Sequence, residues 1–220
     1  MNAALMGLFG MGFLLGLKHA FDADHIAAMA ALNSKNSSLK GFFWGIGHTV
    51  SLLVIGFLVL SFKITIPEKL ALSFELVVGI MLVILGVNAL AAFKRFKLHF
   101  HKHRHGAKEH LHLHSHYISK SHNHGHKPLL IGLIHGLAGS AALTLLVLST
   151  INSIPIGIFY ILVFGIGSII GMVVISKIIS LPFKFMAHKF YGAHAMLRLG
   201  AGFASLAFGI SIMYSTIILF

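Results

Sequence analysis

Residues 4–32 read ALMGLFGMGFLLGLKHAFDADHIAAMAAL, an apolar run of 29 residues interrupted by one charged motif from Lys18 to His25. As one helix this run would measure about 44 Å, against a bilayer hydrocarbon core of about 30 Å. Tilt alone would have to exceed the usual range to fit it. The run is therefore expected to be the first membrane span and to be broken locally, as in transporters that build ion sites on discontinuous helices.

The motif Lys18-His19-Ala20-Phe21-Asp22-Ala23-Asp24-His25-Ile26 holds two of the five acidic residues in the chain. A charged Asp at the middle of a bilayer costs about 2.5–3.5 kcal/mol on insertion scales. A divalent cation held by imidazole and carboxylate would offset that cost. The plainer alternative is an Asp–His or Asp–Lys18 network that only fixes the helix. With about 100° per residue on a continuous helix, His19, Asp22 and His25 share one face and Asp24 falls off it. Either Asp24 acts from behind the ligands or the helix breaks there.

Outward from this motif the pattern repeats. Apolar runs near 4–32, 41–62, 70–93, 128–150, 156–176 and 199–219 predict six helical spans, an all-α polytopic membrane protein. Charged residues are only 10% of the 220, too few to clothe a water-facing surface. The first run has no basic leader segment, so it is expected to stay as a span rather than be removed as a signal peptide. The chain has no cysteine, which excludes disulfides and thiolate ligands.

Seventeen Lys and Arg stand against five Asp and Glu. The excess falls between apolar runs, so it reads as the orientation bias of a membrane protein rather than nucleic-acid binding. Connections after the first, third and fifth spans hold fourteen of these bases, and those after the second and fourth hold two. Both termini are then expected outside the cell, with the odd-numbered connections in the cytoplasm.

The halves 1–93 and 128–220 resemble each other. Gly16-Leu17-Lys18-His19-Ala20 matches Gly132-Leu133-Ile134-His135-Gly136, and Trp44-Gly45-Ile46-Gly47-His48 matches Phe164-Gly165-Ile166-Gly167-Ser168. The Gly79/Gly86 spacing recurs as Gly202/Gly209. Three spans per half predict an inverted 3+3 repeat, with substrate bound near the membrane midplane.

His48, in Gly47-His48-Thr49, is a further candidate ligand on the second span. For His135, opening the fourth span, a ligand role and a helix-packing hydrogen bond both stand. Between the halves, the polar segment 94–127 carries His99, His101, His103, His105, His110, His112, His114, His116, His122, His124 and His126. In an extended chain alternate residues share a face, so neighbouring imidazoles can chelate one ion. With little apolar content, this loop is expected to be disordered without metal and to buffer metal as an accessory. Imidazole with carboxylate suits nickel, cobalt, zinc or copper rather than magnesium or calcium.

The motif His-Ala-Phe-Asp-Ala-Asp-His-Ile at 19–26 resembles the signature of the nickel/cobalt transporter family, and Gly47-His48-Thr49 resembles that family's Gly-His-Ser/Thr segment. The six-span layout, the His-rich middle and His135-Gly136-Leu137-Ala138-Gly139-Ser140 resemble its UreH-like branch, membrane proteins linked to urease nickel supply. The resemblance implies that His19, Asp22, Asp24, His25 and His48 serve metal passage. It implies a multi-pass protein of a prokaryotic inner membrane, with Ni2+ or Co2+ as transported substrate and no prosthetic group. Cytoplasmic nickel chaperones or urease accessory proteins are the partners it suggests, besides the lipid bilayer. The acidic signatures of the larger permeases do not recur in the second half. Uptake is the leading expectation. Efflux by the same machinery, or a non-transporting membrane metal chaperone or sensor working through the loop, are the alternatives. No nucleophile or substrate pocket points to an enzyme.

Overall fold

The computed structural model describes residues 3–32, 37–64, 66–94, 99–105, 108–114, 126–137, 151, 153–189 and 191–220. These form α1 (Ala3–His19), α2 (Ala23–Ala31), α3 (Ser37–Phe62), α4 (Glu68–Lys94), β1 (His99–His105), β2 (Lys108–His114), α5 (His126–Gly136), α6 (Ile154–Lys189) and α7 (Tyr191–Leu219). Spans within α3, α4, α6 and α7 are long and apolar enough to cross a membrane. The pair α1 and α2, bent by 48° at the break between them, makes a fifth candidate. Of the expected fourth span at 128–150, residues 138–150 lie outside the described residues.

The outward faces remain apolar, with Phe57, Ile84, Phe203 and Ile217 all more than half exposed. Apolar surface on this scale would be a liability in water, and is what a helix bundle presents to lipid. Inside, Ala28, Met29, Trp44, Leu82 and Met172 form one buried cluster and Leu52, Tyr160, Ile161 and Phe164 a second.

Lipid tails are as apolar as the helices, so close packing and interhelical hydrogen bonds must hold the bundle together. The glycines supply the first. A side chain at Gly16 on α1 would overlap the Phe164 carbonyl on α6, and one at Gly132 on α5 would overlap the Trp44 carbonyl on α3. Likewise Gly167 of α6 lies against Phe13 of α1, and Gly47 of α3 against Leu129 of α5. On α4 and α7, Gly79 meets Gly209 and Gly86 meets Gly202. The first helix of each half thus packs on the middle helix of the other. Serines supply the second. Ser51 Oγ donates to the Leu133 carbonyl (2.7 Å), Ser168 Oγ to that of Gly16 (3.1 Å) and Ser205 Oγ to that of Leu82 (2.8 Å).

Helices outrun two of the expected spans. Beyond the span end expected at 176, α6 continues to Lys189, through Pro182, and α7 begins at Tyr191, ahead of the span expected at 199–219. A helix need not stop where the membrane does. The 36 residues of α6 measure about 54 Å, well beyond the hydrocarbon core. In the His-rich insert, β1 and β2 pair antiparallel with His99 opposite His114, His101 opposite His112 and His103 opposite His110. His116, His122 and His124 lie outside the described residues.

Because Gly132 touches backbone rather than a flexible side chain, Gly132→Ala should destabilise the protein by about 1–3 kcal/mol, the usual penalty for overpacking. Gly7, with open space around it, should tolerate Ala without loss. Thermal unfolding of the two purified variants in the same detergent checks the contrast.

Candidate metal centre

The site begins where α1 stops. After His19 the chain leaves the helix for three residues, and Asp22 adopts extended backbone as the N-cap of α2. The break leaves few backbone groups without partners, as a membrane interior demands. The Phe21 N–H donates to the Lys18 carbonyl (2.9 Å), Asp22 N–H to that of His19 (3.0 Å) and Ile26 N–H to that of Asp22 (3.0 Å). At the far end of α2, Lys40 Nζ donates to the Leu32 carbonyl at 2.6 Å, a cation at the negative end of a helix dipole.

The bend folds His25 back toward His19, their ring centroids 4.6 Å apart. His48 arrives from α3, 5.2 Å from His19 and 5.5 Å from His25. His135 arrives from the last turn of α5, 4.1 Å from His25 and 6.1 Å from His48. The glycines at 47, 132 and 136 are what let α3 and α5 come this close. His25, His48 and His135 are buried.

Two aspartates stand among the rings with different jobs. Asp24 accepts from His135 Nε2 at 2.9 Å on one oxygen and from His25 Nδ1 at 3.1 Å on the other. It therefore ties α2 to α5. Asp22 accepts from His19 Nδ1 at 2.8 Å and is half exposed. In both cases the carboxylate fixes the ring's tautomer and orientation and leaves the other nitrogen available, the arrangement usual behind metal-bound histidines.

What remains available is informative. Five buried ring nitrogens have no hydrogen-bond partner among the described residues: His19 Nε2, His25 Nε2, both nitrogens of His48 and His135 Nδ1. A buried polar atom left unpaired costs about 1–3 kcal/mol, so five in one place would be a heavy burden for a merely structural network. Two three-residue groups have ligand atoms all within 4.8 Å of one another: His19, His25 and His48, and Asp24, His25 and His135. Imidazoles with one carboxylate fit a borderline transition-metal cation.

Of the residues expected from the motifs, the structure brings together His19, Asp24, His25, His48 and His135. Asp22 is in neither group, because the helix break turns it outward behind His19. The reading by motif did not include the aromatic walls. Trp44 lies 6.0 Å from His25 and 5.7 Å from His135, and Phe164 lies 5.8 Å from His19. A signal was present, since these two residues occupy matched positions in the similar stretches 44–48 and 164–168.

Comparison with known proteins agrees with this chemistry. The family model described as "High-affinity nickel-transport protein" matches residues 5–219. "Urease accessory protein UreH" of Bacillus sp. (strain TB-90) is 41% identical over 216 residues, 96% of this chain and 92% of that protein. "High-affinity nickel-transport protein NixA" of Helicobacter pylori (strain ATCC 700392 / 26695) is 31% identical over 100 residues, 39% of this chain and 30% of that protein. "Cobalt transport protein NhlF" of Rhodococcus rhodochrous is 39% identical over 66 residues, 26% of this chain and 19% of that protein. No solved structure matches.

The different placement of the aspartates yields an unequal pair of mutants. Asp22→Asn removes only the outer partner of His19, and should raise the Kd for Ni2+ about 10–100-fold. Asp24→Asn removes the charge that holds two histidines, and should raise it further. Calorimetric titration of Ni2+ into the purified variants ranks them, and equal effects would speak against the assignment.

Proposed function

Since the chain belongs to the family of high-affinity nickel-transport proteins, we propose that it carries Ni2+ into the cell through the cluster of His19, Asp24, His25, His48 and His135. The observation that carries this reading is the convergence on one place in an apolar bundle of five buried imidazole nitrogens that have no partner among the described residues. Co2+, with similar ligand preferences, is the alternative cargo, and a relative named as a cobalt transport protein supports it. Asp22 positions His19 from outside the cluster.

The protein lies in a prokaryotic inner membrane with both termini outside and the His-rich insert in the cytoplasm, a reading supported by the distribution of Lys and Arg. Its halves form an inverted repeat. The crosswise glycine contacts support this, since Gly16 on Phe164 and Gly132 on Trp44 are matched positions with exchanged roles. Transport then proceeds by rocking of the halves about the bound ion. Release on the cytoplasmic side delivers the metal to nickel chaperones or urease accessory proteins, as the name of the relative from Bacillus suggests.

The insert receives and buffers the released ion. The β1–β2 register sets His99, His101 and His103 opposite His114, His112 and His110.

Cells expressing the protein should accumulate radioactive nickel above the empty-vector level, and His25→Ala should abolish the gain while the protein remains in the membrane. Accumulation below that level would mean efflux. Deleting residues 99–126 should lower the amount of metal bound per chain yet leave measurable flux in proteoliposomes. Complete loss of flux in a well-folded deletion would favour a chaperone or sensor working through the loop.

A further inference from the structure

We propose that the centre comprises two alternative metal positions sharing His25, and that the ion steps between them during transport. This inference rests on the proposed metal passage and adds to it. The first position is His19, His25 and His48; the second is Asp24, His25 and His135.

Three features set the two apart. The first position offers three neutral imidazoles, with carboxylates only behind them: Asp22 on His19 and Asp24 on His25. The second offers the Asp24 carboxylate itself, which neutralises part of the charge of a dication. The positions also differ in which helices build them. The first draws only on α1, α2 and α3, whereas the second adds His135 from α5, in the other half of the chain. Finally, a neutral imidazole has one lone pair on nitrogen for a metal, so His25 serves one position at a time. Occupancy is mutually exclusive, and one ion moves where two could not sit.

Asp24 is the element that changes role. In the arrangement described it accepts from both His25 and His135. With the ion in the first position these contacts hold His25 for coordination through Nε2, which has no other partner among the described residues. With the ion in the second position Asp24 becomes a ligand. The His135 proton moves by change of tautomer from Nε2 to Nδ1, which has no partner among the described residues, and the ion replaces the hydrogen bond as the link between α2 and α5. Moving from first to second position therefore makes the contact between the halves depend on the metal. That dependence supplies a differential interaction between conformations, which any ligand-driven change requires.

Co2+ is the probe, because its visible absorption reports ligand type and geometry. It is titrated into the purified full-length protein and into His19→Ala, His135→Ala, His135→Gln and His25→Ala. The wild type should bind one Co2+ per chain. His19→Ala keeps only the second position and His135→Ala only the first, so each should still bind one ion, with different spectra. His25→Ala should lose at least about 100-fold in affinity, being common to both. Both single-position variants should fail to move Ni2+ in proteoliposomes although they bind it. His135→Gln retains a hydrogen-bond donor for Asp24 and so guards against a folding defect; it should behave as His135→Ala. Wild-type flux in His135→Ala or His135→Gln would overturn the second position while leaving metal passage intact. Identical spectra in His19→Ala and His135→Ala would overturn the two-position scheme in favour of one shared site. A wild type that neither binds nor moves Co2+ or Ni2+ would remove the underlying transport reading as well.

Discussion

An aspartate among apolar helices must find partners, and the bridge that Asp24 makes between His25 and His135 is the constraint from which the rest of the centre follows. To reach both rings its carboxylate has to lie between α2 and α5. That placement requires α1 to end at His19, because on a continuous helix Asp24 would leave the face of His19 and His25. The break in turn requires three residues of irregular chain at membrane depth, tolerated where turn hydrogen bonds and surrounding protein satisfy the backbone. Glycines at 47, 132 and 136 then decide whether α3 and α5 come near enough to close the cluster.

The architecture explains why small residues matter more here than large ones. In water, burying a leucine draws helices together; in lipid there is little such gain, and contact area at short range takes its place. The bundle accordingly joins at Gly16, Gly132, Gly79 and Gly209, where backbone meets backbone. Many of its bulky residues face outward. The packing that holds the fold and the approach that brings the histidines together therefore rest on the same glycines.

Much of this was legible in the residues. Length alone indicated that 4–32 could not be one straight span, and the His and Asp spacing pointed to residues that the structure brings together. The matched motifs of the two halves hold the glycines that make the crosswise contacts. Three things were not legible. Which aspartate joins the histidines stayed open, because ideal-helix spacing put Asp22 on their face and Asp24 off it, and where the chain bends is set by packing. The continuation of α6 to Lys189 was hidden because Lys177 and Lys184 look like loop residues when the helix merely outruns the membrane. The pairing within the insert was hidden because alternating histidines lack the apolar pattern by which strands are recognised.

Exposure falls stepwise through the centre: the side chain of Asp22 is 49% accessible and that of Asp24 30%, then His19 10% and His25 2%. A hydrated cation moving along this series would exchange its water for protein ligands a few at a time rather than all at once. An ion that binds nitrogen well would make that exchange readily. Magnesium, which dehydrates reluctantly and favours oxygen, would meet its hardest step among the buried imidazole nitrogens.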